Sequence, residues 1–256
     1  MQEQTSYKAE SIQVLRDLEA VRNEYDLNWL VSQIKGRGSL KYLSDSLKID
    51  YNSLGKAIEE AKILSIFPDL SKSKANPLSR LKIKRELILF AKKYEIYKLK
   101  VRELYKLIKE YRKELEKNPR ILLTPLQHDL IVGSTLGDGN IRQRERNCNF
   151  RIGHSIKQRK YSEWKYNILN EFIISEMKLR QRIINDRLVN MFEFSAITHP
   201  VFNYYRRLFY KNGKKVITRE CLGLLNPRSL AIWICDDGSY CKRLHYIILS
   251  TNSYSL

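Results

Sequence analysis

The chain has 256 residues, 43% of them hydrophobic, enough to bury a core and to exclude a disordered polypeptide. Its 47 Lys and Arg against 28 Asp and Glu give a formal net charge of +19, which favours a polyanionic partner, nucleic acid first. The four cysteines (Cys148, Cys221, Cys235, Cys241) lack zinc spacing, the N-terminus lacks a leader pattern, and no apolar run reaches about 18 residues. The expectation is an intracellular protein, cytoplasmic, nucleoid-associated or organelle-encoded, that is not secreted and has no membrane partner.

Residues 9–35 read as two short helices, with Ile12, Leu15, Leu18 and Val21 on one stripe and Leu27, Leu30, Val31 and Ile34 on the other. Residues 39–63 read as a helix-turn-helix: Leu40, Leu43 and Leu47 face inward, Ile49–Asn52 turns, and Leu54, Ala57 and Ile58 pack back. Ser44 sits where the helices cross closely. Lys48 stands where glycine is common for its freedom at positive φ. In a DNA-binding version, Tyr51, Asn52, Ser53 and Lys56 lead the recognition helix; a generic helical hairpin is the plainer reading. This makes 1–64 a helical domain. Residues 65–79, rich in Ser with two prolines, read as a linker.

Over 80–118, apolar or aromatic residues recur in steps of four and three from Ile83 through Leu115, predicting one long heptad-patterned helix. Its coiled-coil seam suits either homodimerisation or packing within its own domain. Asn118-Pro119 ends it.

From residue 122 the texture changes. Thr124-Pro125-Leu126-Gln127 is a capped helix start. Asn149–His154 reads as a strand, 158–176 as a helix, 179–197 as a hairpin around Asn185-Asp186, and His199–Tyr210 as a helix. Pro227 opens another helix, followed by a strand-like stretch at 245–250. Two apolar runs end alike, Ile131–Gly139 in Asp138-Gly139 and Leu230–Gly238 in Asp237-Gly238.

Both phrases resemble the signature of the LAGLIDADG homing endonucleases. The Arg-x-Gly-His, Glu-Trp-Lys-Tyr and His-Pro-x-Phe-Asn stretches resemble that family's intervening segments. The resemblance covers 122–256 and implies an α+β fold. One αββαββα unit pairs through its motif helix with a second, which begins at about 227, and the strands form a saddle on double-stranded DNA. By resemblance, Asp138 and Asp237 are the catalytic, metal-binding acids, Gly137 and Asp236 join them as metal-site residues through a backbone carbonyl or added charge, and Mg²⁺ is the cofactor. It likewise puts Arg142, Arg144, Arg146, Arg151, His154 and Lys157 on DNA, and makes Lys157, Gln158, Lys214 and Lys215 candidates for polarising the attacking water.

Only residues 239–256 follow the second phrase, whereas the first unit runs from Gly139 on to Tyr210. The second unit is therefore expected to be C-terminally incomplete. The function implied is metal-dependent double-strand cleavage at a specific site, as in a mobile intron, in an active enzyme or a truncated remnant. The family also implies an alternative without cleavage, an intron RNA splicing maturase or a transcription regulator. A structural dimer held by the heptad helix is the third reading.

Overall fold

The computed structural model describes residues 37–184 and 187–251 and divides into two compact units, up to Ile108 and from Lys109 onward. The helices expected over 9–35, the Asn185-Asp186 turn and the tail after Thr251 lie outside the described residues.

In the first unit, α1 (Arg37–Leu47) and α2 (Tyr51–Ile66) pack Leu40, Leu43 and Leu47 against buried Ile49, Leu54 and Ile58. Lys48 adopts the left-handed conformation, φ 53°, and Ser44 closes the turn by donating its hydroxyl to Ile49 O at 2.7 Å. Asp50 accepts the Ser53 N–H at 2.9 Å, so α2 starts at Tyr51 and the turn is shorter than Ile49–Asn52. Tyr51, Asn52 and Lys56 are exposed and Ser53 is half-buried.

Two expectations for this region are corrected. The segment 65–79 is not a linker: it holds a short helix, α3 (Lys72–Leu78), and buries Leu70, Ala75 and Leu78. Its apolar residues outweigh its Ser and Pro content. The 80–118 helix is not continuous but forms α4 (Lys84–Tyr94) and α5 (Val101–Lys117). Glu95 ends α4 in the left-handed conformation, φ 44°. The Lys100 N–H then donates to Glu103 Oε2 at 2.7 Å at the start of α5. Tyr97, a seam position, is 50% exposed, while Ile96, off the seam, is fully buried. Leu87, Phe90, Leu104, Ile108, Tyr111 and Leu115 are buried within this chain. The seam is therefore not free to dimerise as a coiled coil.

In the second unit Thr124 caps α6 (Pro125–Leu136) in a reciprocal box with Gln127. Next come β1 (Asn140–Gln143), β2 (Cys148–Ser155), α7 (Arg159–Ile168), β3 (Lys178–Ile184), β4 (Arg187–Ser195) and α8 (Val201–Phe209). This is the expected αββαββα order. The four strands form one antiparallel sheet in the order β1-β2-β4-β3. Helix α7 stops short of 176: a 3-10 turn over Asn170–Phe172 follows, burying Leu169 and Phe172. Beyond α8 are β5 (Tyr210–Lys211), β6 (Lys214–Lys215) and α9 (Arg219–Leu222). Then come α10 (Pro227–Asp237), β7 (Gly238–Cys241) and β8 (Tyr246–Leu249). Phe150, Ile152, Phe194, Phe172 and Phe202 build the core between sheet and helices.

Candidate active site

Helices α6 and α10 carry the two Asp-Gly phrases and pack against each other. The contact depends on missing side chains. A Cβ on Gly133 would stand 2.3 Å from Ser229 O, and one on Gly137 would stand 2.3 Å from the Asp236 Cβ. The first helix is small where the second is large, so the pairing is asymmetric in side-chain volume.

Three carboxylates gather where these helices end. Asp138 is partly exposed, and its Oδ2 lies 3.0 Å from His154 Nδ1. Asp236 is enclosed by Tyr161 and Lys165 of α7, with Lys165 Nζ 2.6 Å from Oδ1 and 2.9 Å from Oδ2. Burial raises the pKa of Asp237, and the charges of Asp138 and Asp236 raise it further, with Lys215 opposing. Lys215 donates to Gly137 O at 2.7 Å. Burial lowers its pKa while the three nearby acids pull it back up.

The outward face of the sheet leads away from this cluster. Residues opposite one another in an antiparallel pair share a face. The register therefore groups Arg142 and Arg151 with Lys178, Arg180 and Arg182. A cleft over this face is lined by these five and Arg144; a second, sharing Arg142, Arg151, Arg182 and Glu193, extends to Asp138. Glu193 is inserted among these cations, accepting from Arg151 and Arg182, and Glu176 stands at the edge of the first cleft. Burial alone would raise its pKa, but the two guanidiniums outweigh burial and hold it below the ordinary range.

Of the residues expected to contact DNA, Arg142, Arg144, Arg146 and Lys157 are exposed and Arg151 is half-buried. His154 is a correction: it is 1% exposed and lies on the inward face with Phe150 and Ile152, beside Asp138. Lys178, Arg180 and Arg182 extend this face beyond the residues named from the sequence; the signal for them is the alternation Lys178-Leu179-Arg180-Gln181-Arg182, which puts three cations on one face. Among the water-polarising candidates, Lys215 is at the acid cluster. Lys214 and Lys157 are exposed and Gln158 is half-buried, its carbonyl accepting from Ser162.

The donor set suits a divalent cation. Clustered carboxylates repel each other, and among the described residues neither ring nitrogen of buried His154 has an aligned hydrogen-bond partner. Asp138, His154 and Asp236 offer ligand atoms within 4.8 Å of one another. Distance alone would admit Asp236 as a ligand. Its engagement by Lys165 and Tyr161 argues against that and leaves Asp138 and Asp237 as the available acids. Gly137, whose carbonyl is taken by Lys215, is likewise engaged.

A model of the LAGLIDADG DNA endonuclease family matches residues 128–256. The chain is 32% identical over 124 residues to the RecA protein of Mycolicibacterium flavescens, spanning 47% of this chain and 28% of that one. It is 30% identical over 137 residues to the cytochrome b mRNA maturase bI2 of Debaryomyces hansenii, spanning 50% of each. The homing endonuclease I-WcaI, solved bound to its DNA recognition sequence, matches with 29% identity and a TM-score of 0.43, over 53% of this chain and 58% of that one. The chain thus spans less than two thirds of the length of each of these relatives, from 28% to 58%.

Proposed function

The chain belongs to the LAGLIDADG DNA endonuclease family, and on that premise we propose that it cleaves double-stranded DNA at a specific site, by metal-dependent phosphodiester hydrolysis of both strands. The observation that carries this reading is that Asp138 and Asp237 stand at the ends of two paired helices, each within reach of the other's charge, next to a basic sheet face. Asp138 and Asp237 would hold the divalent cation, with Mg²⁺ the expected ion. When bound, the cation supplies charge neutralisation and an activated water for in-line displacement.

The chain's own residues do the rest. Arg142, Arg151, Arg180 and Arg182 bind phosphates and guanine edges, positioning a backbone over Asp138. Lys215 holds the Gly137 carbonyl and offsets the acid cluster from beneath. Tyr51, Asn52, Ser53 and Lys56 of α2 add a separate contact to the same DNA. The protein works inside the cell, at the nucleoid or in a DNA-bearing organelle.

The test is cleavage of a plasmid library carrying randomised sites, with Mg²⁺ or with EDTA. Linear product in Mg²⁺ and none in EDTA is expected. Asp138→Asn should abolish cutting while leaving salt-sensitive DNA binding intact; a variant that still cuts overturns the catalytic assignment. The likeness to a maturase favours a second reading, in which the same basic face carries intron RNA. Tight RNA binding without cleavage of any DNA would select it.

A further inference from the structure

We propose that Lys165 and Asp236 form a buried clamp between the two repeats that positions Asp138, so that Asp236 is a positioning residue and not a metal ligand. The inference rests on the endonuclease reading for its consequence, but its geometry stands alone.

Both side chains are 0% exposed. A buried ion pair of this kind survives only where further hydrogen bonds satisfy each group. Asp236 has them. Oδ1 accepts from Lys165 and from the Tyr161 hydroxyl at 2.9 Å. Oδ2 accepts from Lys165 and from the backbone N–H of Asp138 at 3.3 Å. Lys165 also lies 4.4 Å from the Tyr161 ring centroid. One carboxylate therefore joins α7, α10 and the backbone just beyond the Gly137 cap of α6.

The bond to Asp138 matters most. The Gly137 N–H donates to Gly133 O and the Gly139 N–H to Ser134 O, both within the first repeat. The amide between them turns to Asp236 of the second. The backbone that presents the first acid is thus held by the opposite helix. Each Asp236 oxygen already has two donors, so a cation taking either would displace the Lys165 ammonium or leave it unpaired in the interior. Gly137 permits the arrangement, since any side chain there would overlap Asp236. Gly137 also occupies the place in the first phrase that Asp236 occupies in the second, so this clamp has no counterpart in the other direction.

The experiment uses the full chain and compares Lys165→Met, Asp236→Asn and the double variant. Its readouts are single-turnover cleavage across a Mg²⁺ titration, DNA affinity, and hydrogen exchange at the Asp138 amide. Each single variant should slow cleavage by roughly 100-fold, the cost of a misplaced catalytic group, with DNA affinity unchanged and no recovery at saturating Mg²⁺. The double variant should be no slower than the worse single. The Asp138 amide should exchange faster in all three. Full-rate cleavage by Lys165→Met, or recovery of Asp236→Asn at high Mg²⁺, would make Asp236 a ligand and overturn the clamp. Should Lys165→Met fail to fold, Lys165→Arg carries the same test, because it keeps the charge but moves the donors: slow cleavage with intact DNA affinity is expected, full-rate cleavage overturns. A wild-type chain that cuts no DNA sinks the endonuclease reading alone. The clamp then stands or falls on whether Asp236→Asn accelerates Asp138 amide exchange.

Discussion

Gly137 and Asp236 face each other across the two paired helices so closely that one can carry a side chain only because the other does not: a Cβ on Gly137 would come within 2.3 Å of the Asp236 Cβ. Real Cβ atoms do not approach so near, so a substitution must push the helices apart. Gly137→Ala is expected to destabilise the second unit by about 1–3 kcal/mol, the usual cost of overpacking. It should also disable the acid pair. Gly55 of α2 is the internal comparison, since a Cβ there meets only Leu40 Cδ2 at 3.5 Å. Gly55→Ala should be neutral or stabilise by about 0.5–1 kcal/mol, as alanine favours a helix over glycine. Urea denaturation of both variants, with cleavage in parallel, checks the contrast.

Glu193 is an acid placed among the cations proposed to bind phosphate. Its pairing with Arg151 and Arg182 keeps it ionised throughout the neutral range, so it competes with a bound polyanion for two guanidiniums. Glu193→Gln should tighten DNA binding several-fold and relax its sequence preference, because freed arginines bind any backbone. Fluorescence anisotropy with cognate and scrambled duplexes measures both. Weaker binding by the variant would mean that Glu193 orients the arginines rather than restraining them.

The basic face also predicts a salt response. Arg180 is exposed on β3 in register with Met191, on the face shared with Arg142 and Arg151. If it contacts one phosphate, Arg180→Ala should lower the magnitude of the log Kd against log salt slope by about 0.9. Arg219, exposed on α9 well away from that face in the chain, serves as the control and should leave the slope unchanged.

Much of this site was legible in the chain, and the misses have physical causes. The Thr124–Gln127 box and the two Asp-Gly phrases are local signals, and the structure realises the box and the two motif helices where the phrases lie. The orientation of His154 was legible too. Alternation that turns Phe150 and Ile152 inward turns His154 inward with them, but its polar side chain suggested the DNA face instead. The break at Glu95 had no such signal: no glycine or proline marks it, and an apolar pattern in steps of three and four reads alike through one helix or two. The Lys165–Asp236 pair joins residues 71 positions apart and exists only because side chains of α7 reach α10 in the folded chain. No local pattern encodes that contact.

Stability should fall on mild acidification because of His128. The ring is 3% exposed, with Nε2 3.3 Å from Arg120 Nη2 and Nδ1 2.6 Å from the Tyr205 hydroxyl. A guanidinium can only donate, so Nε2 accepts and the single ring proton sits on Nδ1, directed at Tyr205. Burial lowers the His128 pKa, and the charge of Arg120 lowers it further; Asp129, already bound by Asn226 and Arg228, opposes them and is outweighed. In the unfolded chain the imidazole titrates near its ordinary value of 6.5. Above that pH neither state holds the proton and His128 costs nothing. Below it the unfolded chain takes up a proton that the folded chain refuses, so stability declines until the pH reaches the depressed folded value. The slope contributed cannot exceed about 1.4 kcal/mol per pH unit for one group. Denaturation midpoints between pH 7.5 and 5 should show this decline, and His128→Asn, which keeps a donor toward Tyr205 but does not titrate, should flatten it. An unchanged slope in the variant would assign the acid sensitivity to other groups.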